Sequence, residues 1–416
     1  MNQNTPNDRD TIKVPIDELE LGMHVSALDR PWLDTPFLFQ GFPLEDPDDL
    51  ATLRNICEYV YIDVLKARHV SSDARTSPVD LDRCPENYAL QAKVEEEITK
   101  AHISYQCSFT EVEQILDTAY VDKLPDTRVI REHISECVDS IERNPSAMLW
   151  LTRIKNADKY TAEHCLNVGL LAIAFGRHLG VGRKHMELLG LCGMLHDVGK
   201  MKVDQTILNK PGKLTKEEYE HIKLHVNFGW EILQQDTTLP EEVIAACHHH
   251  HERQDGQGYP DQLDANTLGF YTKVVTIVDA YDAITSQRCY SAGTTSAAAL
   301  KILYDNSGTQ FDPKLVVKFI ECIGIYPPGA LVEMMSGEVG VVISVDPVNR
   351  LLPKVALLLD ANKNPMQQRI VDLKRQRDLD AERQLRIRKV LMDGSFGVDL
   401  FEFTTRNINM QSAPDL

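Results

Sequence analysis

This chain of 416 residues lacks any long apolar run. Its longest such stretch, Val168 to Gly176 around LLAIAFG, ends at Arg177, far short of the ~20 residues that a bilayer crossing takes. The opening MNQNTPNDRDTIKVP has no apolar core of the signal-peptide kind. A cytoplasmic protein without membrane contact is therefore expected. Cysteine is sparse, nine residues in all with no CxxC spacing, which suits reduced thiols better than a disulfide framework. Positive charge is short as well: 44 Lys and Arg stand against 62 Asp and Glu, a net charge of −18. That balance repels polyanions and argues against a nucleic acid polymer or an anionic membrane as partner. An anionic small substrate would need cations placed locally.

The length exceeds one ordinary domain, so two or three are expected. Residues 12–66 read as a small mixed α/β domain. Asp46-Pro47 makes a helix start with Asp46 as cap, Gly22 marks a turn, and EYVYID (Glu58 to Asp63) has strand composition. Residues 67–86 are polar and read as a linker. From 87 to 325 apolar residues recur at three- and four-residue spacing, as in Leu166, Leu170, Ile173 and in Leu188, Leu191, Leu195, which predicts a wholly helical domain. After Tyr326-Pro327-Pro328 the runs ALVEMM, VGVVISV and KVALLLD predict a β-rich appendage over 326–366. Residues 367–416, rich in Arg, Asp, Gln and Leu, read as a polar helix and a loose tail. The fold class is mainly α.

Ten of the fourteen histidines fall between His164 and His251, where even spreading would put about three. His164 shares an apolar helix face with Val168, Leu171 and Phe175; alone, such an imidazole is more often a hydrogen-bonded core residue than a ligand. In LCGMLHDVGK an apolar helix runs straight into His196-Asp197, with Gly199 and Lys200 behind. A carboxylate there is costly unless neutralised, and a divalent cation does that; a helix-end cap paired with His196 is the plainer alternative. In VVTIVDAYDAITS, Asp279 and Asp282 lie one turn apart on one apolar helix face, and either a metal or an arginine could serve them. His225 and the run His248 to His251 add imidazoles. Adjacent helical residues point ~100° apart, so spacing does not choose two of those four. His178, His185 and His221 read as surface residues. Imidazoles with carboxylates and no thiolate point to a first-row metal, and six or seven donors exceed one ion's needs. Two ions bridged by a carboxylate fit the count.

The elements YTAEHCLNV, LHDVGK, IKLHVNFG, HHERQDGQGYP, VDAYDAITSQRCY and QFDP together resemble the HD-GYP domain cyclic-di-GMP phosphodiesterases, a bacterial branch of the HD metal-dependent phosphohydrolases. The resemblance covers the core motifs over 151–321 in the family's order. LGMHV and RPWLDTPFLFQGF look like the small domain of unknown function that often precedes this catalytic domain. The resemblance implies an HD-type helical bundle in which His164, His196 and Asp279 hold one divalent metal. His225, His250 and His251 would hold a second, with Asp197 bridging. The metals implied are iron or manganese, with nickel or zinc compatible with the same donors. Asp197 and Lys200 are the catalytic residues that this implies, with Lys200 and Arg288 near the substrate phosphate. Asp282 reads either as orienting a ligand imidazole or the substrate or as a structural partner of Arg288. The loop of Asp255, Gly256, Gly258, Tyr259 and Pro260 borders the site.

The expected reaction is two-metal hydrolysis of cyclic-di-GMP to linear pGpG, with onward cleavage to GMP open. Two departures from the family pattern matter. Tyr160 stands where some relatives carry a third-metal glutamate, so two ions are expected. Ser291 replaces a basic residue common after the arginine. A low-turnover cyclic-di-GMP-binding regulator, and a phosphodiesterase for another cyclic dinucleotide, are the competing expectations. Helices between 87 and 142 read either as packing within the catalytic unit or as pairing across a homodimer, and the GYP loop offers a contact for a diguanylate cyclase.

Overall fold

The structure is a computed structural model. It describes residues 11–32, 35, 37, 41–44, 46–63, 88–121, 125–154, 160–210, 212–286, 294–346, 349–376 and 385–405. The expected linker over 67–86, Arg288 and Ser291 lie outside the described residues. The chain divides into two compact units, 1–75 with 347–351, and 76–346 with 352–416.

In the first unit, strands β1 (Thr11–Pro15), β2 (His24–Leu28), β3 (Phe42–Pro43) and β4 (Tyr59–Asp63) form an antiparallel sheet in the order β1-β4-β2-β3, with helix α1 (Pro47–Ile56) between β3 and β4. The α1 start is capped as its residues dictate: Asp46 accepts a hydrogen bond from the Asp48 amide at 2.9 Å, and Pro47 stands in the first turn. On β4 the alternation of a half-buried strand is plain. Val60 and Ile62 enter a core with Leu19, Val25, Leu44 and Leu53, and Tyr61 faces away from it.

The second unit opens with α2 (Val94–Tyr120), α3 (Arg128–Arg143), α4 (Pro145–Leu151), α5 (Tyr160–His178) and α6 (Arg183–Leu195). A 3-10 turn over Val198–Lys202 leads to α7 (Gln205–Leu208), α8 (Lys216–Lys223), α9 (His225–Leu233), α10 (Glu241–His249), α11 (Phe270–Thr285), α12 (Ser296–Asp305) and α13 (Pro313–Ile323). Helix α5 is buried on every side from Ala162 to Gly176, which is what a helix apolar all round requires. Two close approaches fix what lies around it. Gly193 of α6 sits so tightly on α5 that a Cβ there would stand 2.6 Å from the Gly169 backbone. Gly199, in the 3-10 turn, meets α9 closer still: its Cβ would fall 2.0 Å from the His225 carbonyl oxygen. Those contacts bring the α6 end against α5 and α9.

After the helices comes an antiparallel sheet of β5 (Leu331–Met334), β6 (Val339–Ser344), β7 (Lys354–Leu359), β8 (Pro365–Asp372) and β9 (Ile387–Val390), in the order β8-β7-β6-β5-β9, and then α14 (Leu400–Thr405). The polar helix expected from residue 367 is therefore a correction: Pro365–Asp372 and Ile387–Val390 are the two edge strands. An edge strand packs on one neighbour only, and its exposed positions take charge and amide side chains. On β8 exposed Gln367 and Arg369 alternate with half-buried Gln368 and Ile370, so glutamines on both faces hide the two-residue period. The appendage is tied to the helices by Arg153, whose Nη2 donates to both oxygens of Asp393 at 2.8 and 3.0 Å.

Candidate metal centre

The α6 end delivers His196 as its C-cap and Asp197 directly after it, both fully buried. The two oxygens of the Asp197 carboxylate face opposite ways. Oδ2 stands 3.6 Å from His164 Nε2 and 3.2 Å from His196 Nε2. Oδ1 stands 3.4 Å from His225 Nε2 and 3.7 Å from His250 Nε2. On the first side, Asp279 of α11 joins His164 and His196, with its Oδ1 3.0 Å from His164 Nε2. On the second, His251 joins His225 and His250. In each trio the donor atoms lie within 4.8 Å of one another.

What stands behind each ring decides which nitrogen faces inward. Nδ1 of His196 lies 2.7 Å from the Gly193 carbonyl, Nδ1 of His225 2.7 Å from that of Ile222, and Nδ1 of His250 2.8 Å from that of Cys247. A carbonyl only accepts, so in each case Nδ1 carries the hydrogen and Nε2 the lone pair. His164 is held in the same sense by Asp282. Nε2 of His164, Nε2 of His196 and Oδ1 of Asp197 are buried and make no hydrogen bond. Buried polar atoms rarely lack a partner. Their common orientation fits a cation.

The electrostatics agree. Burial pushes His225 down to about 4 and His251 to about 3, and holds His250 well below its ordinary value, so all three are neutral donors. Burial alone would raise the Asp197 carboxyl, but His196 and Lys200 beside it hold it well below the usual range. Asp279 is likewise held well down, against its burial, chiefly by His164. His164 is pulled down by burial and raised further by Asp279 and Asp282, with a net rise. The set is two ionised carboxylates among imidazoles, the donor chemistry of a first-row divalent metal. Lys200 reaches back from the 3-10 turn to donate to Asp197 Oδ2.

The family model described as an HD domain matches residues 137–315, and one described as a domain of unknown function, DUF3391, matches 11–130. Cyclic di-GMP phosphodiesterase PA4108 of Pseudomonas aeruginosa is 36% identical over 371 residues, spanning 87% of this chain and 89% of that protein. The chain belongs to the HD-domain cyclic di-GMP phosphodiesterase family. Two further relatives of this phosphodiesterase-family chain match over less than half of it. The cyclic di-GMP phosphodiesterase response regulator RpfG of Xanthomonas campestris is 33% identical over 171 residues, 40% of this chain and 45% of its own. The 3'3'-cGAMP-specific phosphodiesterase 2 of Vibrio cholerae is 29% identical over 192 residues, 46% of this chain and 37% of its own.

Other residues of this family member fall into place around the centre. Asp255, Gly256, Gly258, Tyr259 and Pro260 lie on the loop after α10, where the Tyr259 ring sits 4.9 Å from that of His251. Asp255 is occupied with Arg253, at 2.7 and 3.0 Å. Tyr160 stacks on His164 with ring centroids 5.7 Å apart. His178, His185 and His221 are half-buried and belong to neither trio. Cys165 has its sulfur within 4.8 Å of donor atoms on His196 and Asp197, and burial raises its thiol well above the usual value. It stays protonated and packs beside the donors.

Three supports hold the centre from outside the two trios. Asn167, fully buried, points its amide at Asp282 Oδ1 at 3.5 Å. Thr276 donates to the His250 carbonyl at 2.9 Å. Glu252, buried, accepts from the amides of Asp261 and Leu263 at 2.6 and 3.1 Å and so ties the loop's return to its start. Glu252 stands within HHERQDGQGYP, but what it holds depends on where the chain comes back. Among the described residues, no helix is long and apolar enough to cross a membrane.

Proposed function

We propose that this chain is a cytoplasmic phosphodiesterase that hydrolyses cyclic di-GMP to linear pGpG at a pair of divalent metals, iron or manganese. The observation that carries the reading is the Asp197 carboxylate, whose two oxygens face two separate groups of histidines at 3.2–3.7 Å. His164, His196 and Asp279 would hold one ion and His225, His250 and His251 the other, with Asp197 shared. Bound there, divalent cations supply Lewis acidity toward water and toward the phosphate oxygens.

The chain's own residues supply the rest. The backbone carbonyls behind His196, His225 and His250 keep three lone pairs aimed inward before any ligand arrives, and the carboxylate behind His164 sets its ring to face them, so little reorganisation is left for the reaction. Lys200, paired with Asp197, is only 17% exposed at its side chain. Its charge there favours a phosphate gaining negative charge as the ester breaks. Arg288 is assigned to the substrate phosphate in this reading. The water oxygen joins phosphorus, one ribose oxygen leaves as a hydroxyl, and the ring opens.

The names of the relatives support a cyclic dinucleotide and divide between cyclic di-GMP and 3'3'-cGAMP. Cyclic di-GMP is favoured because the relative spanning most of the chain carries that name. Incubation of manganese-loaded protein with each dinucleotide, with products separated by chromatography, tests this directly. Release of pGpG by the parent chain and none by Asp197→Ala is expected. Intact cyclic di-GMP after prolonged incubation would reject the assignment. A homodimer and a diguanylate cyclase contact through the Gly258-Tyr259-Pro260 loop belong to the same proposal; sedimentation and binding to a purified cyclase test them.

A further inference from the structure

Two of the four consecutive histidines are left over by the buried centre. His248 and His249 end α10 and turn away from it, half-buried. Asp261, on the returning loop, comes to meet them. One donor atom from each of the three lies within 4.8 Å of the others, and His249 Nε2 is 3.0 Å from Asp261 Oδ2.

Two of the three are held from outside the trio. His248 Nε2 donates to Asn227 Oδ1 at 2.9 Å, because an amide oxygen only accepts, and that leaves Nδ1 with the lone pair. The same ring stacks on Trp230 at 5.4 Å and lies 4.6 Å from the His249 ring. The Asp261 amide is bonded to the buried Glu252 carboxylate at 2.6 Å, so its backbone is fixed by the interior. The trio also sits at a helix C-terminus, where the peptide dipoles favour positive charge.

We infer that His248, His249 and Asp261 form a second, outer binding site for one borderline first-row divalent cation such as zinc. Two imidazoles and a carboxylate are its donors. Because the trio is half-exposed, water completes the coordination, unlike the buried centre. The bound ion would clip the loop carrying Gly258, Tyr259 and Pro260 to the end of α10. The inference is independent of the reaction proposed above.

Full-length protein saturated with manganese is equilibrated with micromolar zinc and its metals are counted per chain by elemental analysis. His249→Ala and Asp261→Asn should each hold one metal equivalent fewer than the parent, with turnover of cyclic di-GMP and circular dichroism at the parent level. Asn227→Ala should keep the equivalent but bind it about tenfold more weakly, as loss of an orienting partner does. Equal metal counts in the parent and both variants would overturn the site. So would a fall of two or more equivalents, which would mark damage to the buried centre instead of loss of a separate ion.

Discussion

Asp282 Oδ2 stands 2.8 Å from His164 Nδ1, and this bond turns the other nitrogen of the ring toward Asp197 and Asp279. Asp279 and Asp282 are one turn apart on α11, so a single helix face supplies both a donor to the centre and the support of its neighbour. Replacing Asp282 with Ala should lower metal affinity about 10–100-fold while leaving saturated turnover largely restorable with excess manganese. The measurement is the manganese concentration for half-maximal hydrolysis. An unchanged value would show that the carboxylate does not position His164.

Lys200 bonds to Asp197 but belongs to neither trio of donors. Lys200→Ala should therefore keep its metal content and lose about 10²–10³ in kcat, the range for removing one group that stabilises developing charge. Metal analysis beside steady-state kinetics separates the two effects. If the ions leave with the lysine, its role is to hold Asp197 and not to meet the phosphate.

Gly199 faces the α9 backbone, with the His225 carbonyl oxygen 2.0 Å and the Gly229 amide nitrogen 2.3 Å from where a Cβ would stand. Neither can rotate away as a side chain would. Gly199→Ala should destabilise the fold by about 1–3 kcal/mol or more through overpacking and should also weaken metal binding, because α9 carries His225. Thermal melting with metal titration reads both; a variant with parental melting and affinity would mean that the helix gives way at no cost.

Much of this centre was legible in the chain because its side chains keep their order and spacing in six short motifs. His164, His196, Asp197 and Asp279 stand out as polar groups on helices otherwise too apolar to tolerate them. The choice among four adjacent histidines was not legible from spacing. It turns on where α10 stops: His250 is its C-cap and aims at Asp197, whereas His248, two residues earlier, aims at Asn227. The edge strand β8 was hidden by glutamines on both of its faces, and Asn167 carries no signal until Asp282 is brought beside it from 115 residues away.

Arg153 is 11% exposed and Asp393 34% exposed, and the pair joins the appendage to the helices through one guanidinium nitrogen, Nη2, that donates to both carboxylate oxygens. Arg153 also donates to Ser296 Oγ at 2.8 Å, and it lines a small cavity with Tyr281 and Asp282. Asp393→Ala leaves a mostly buried guanidinium without its anion. A loss of about 2–3 kcal/mol is expected, below the range for fully buried pairs because the aspartate is partly solvated. Replacing both partners, Arg153→Met with Asp393→Leu, should recover most of it. Denaturant unfolding of the parent, the single and the double variant closes the cycle; a double variant as unstable as the single would locate the cost elsewhere than in the unpaired charge.

Removing metal should lower stability as well as activity. Nε2 of His164, Nε2 of His196 and Oδ1 of Asp197 are buried without hydrogen bonds, and each such atom costs about 1–3 kcal/mol when nothing replaces its water. A cation that binds the folded chain and not the unfolded one stabilises it by about 2.7 kcal/mol at a hundredfold excess over Kd. The melting temperature of chelator-treated protein should therefore rise steadily with the logarithm of added manganese, while that of Asp197→Ala stays flat because its two groups of histidines share no carboxylate. Identical melting of the parent with chelator and with excess manganese would mean that these side chains do not converge on an ion in the folded state.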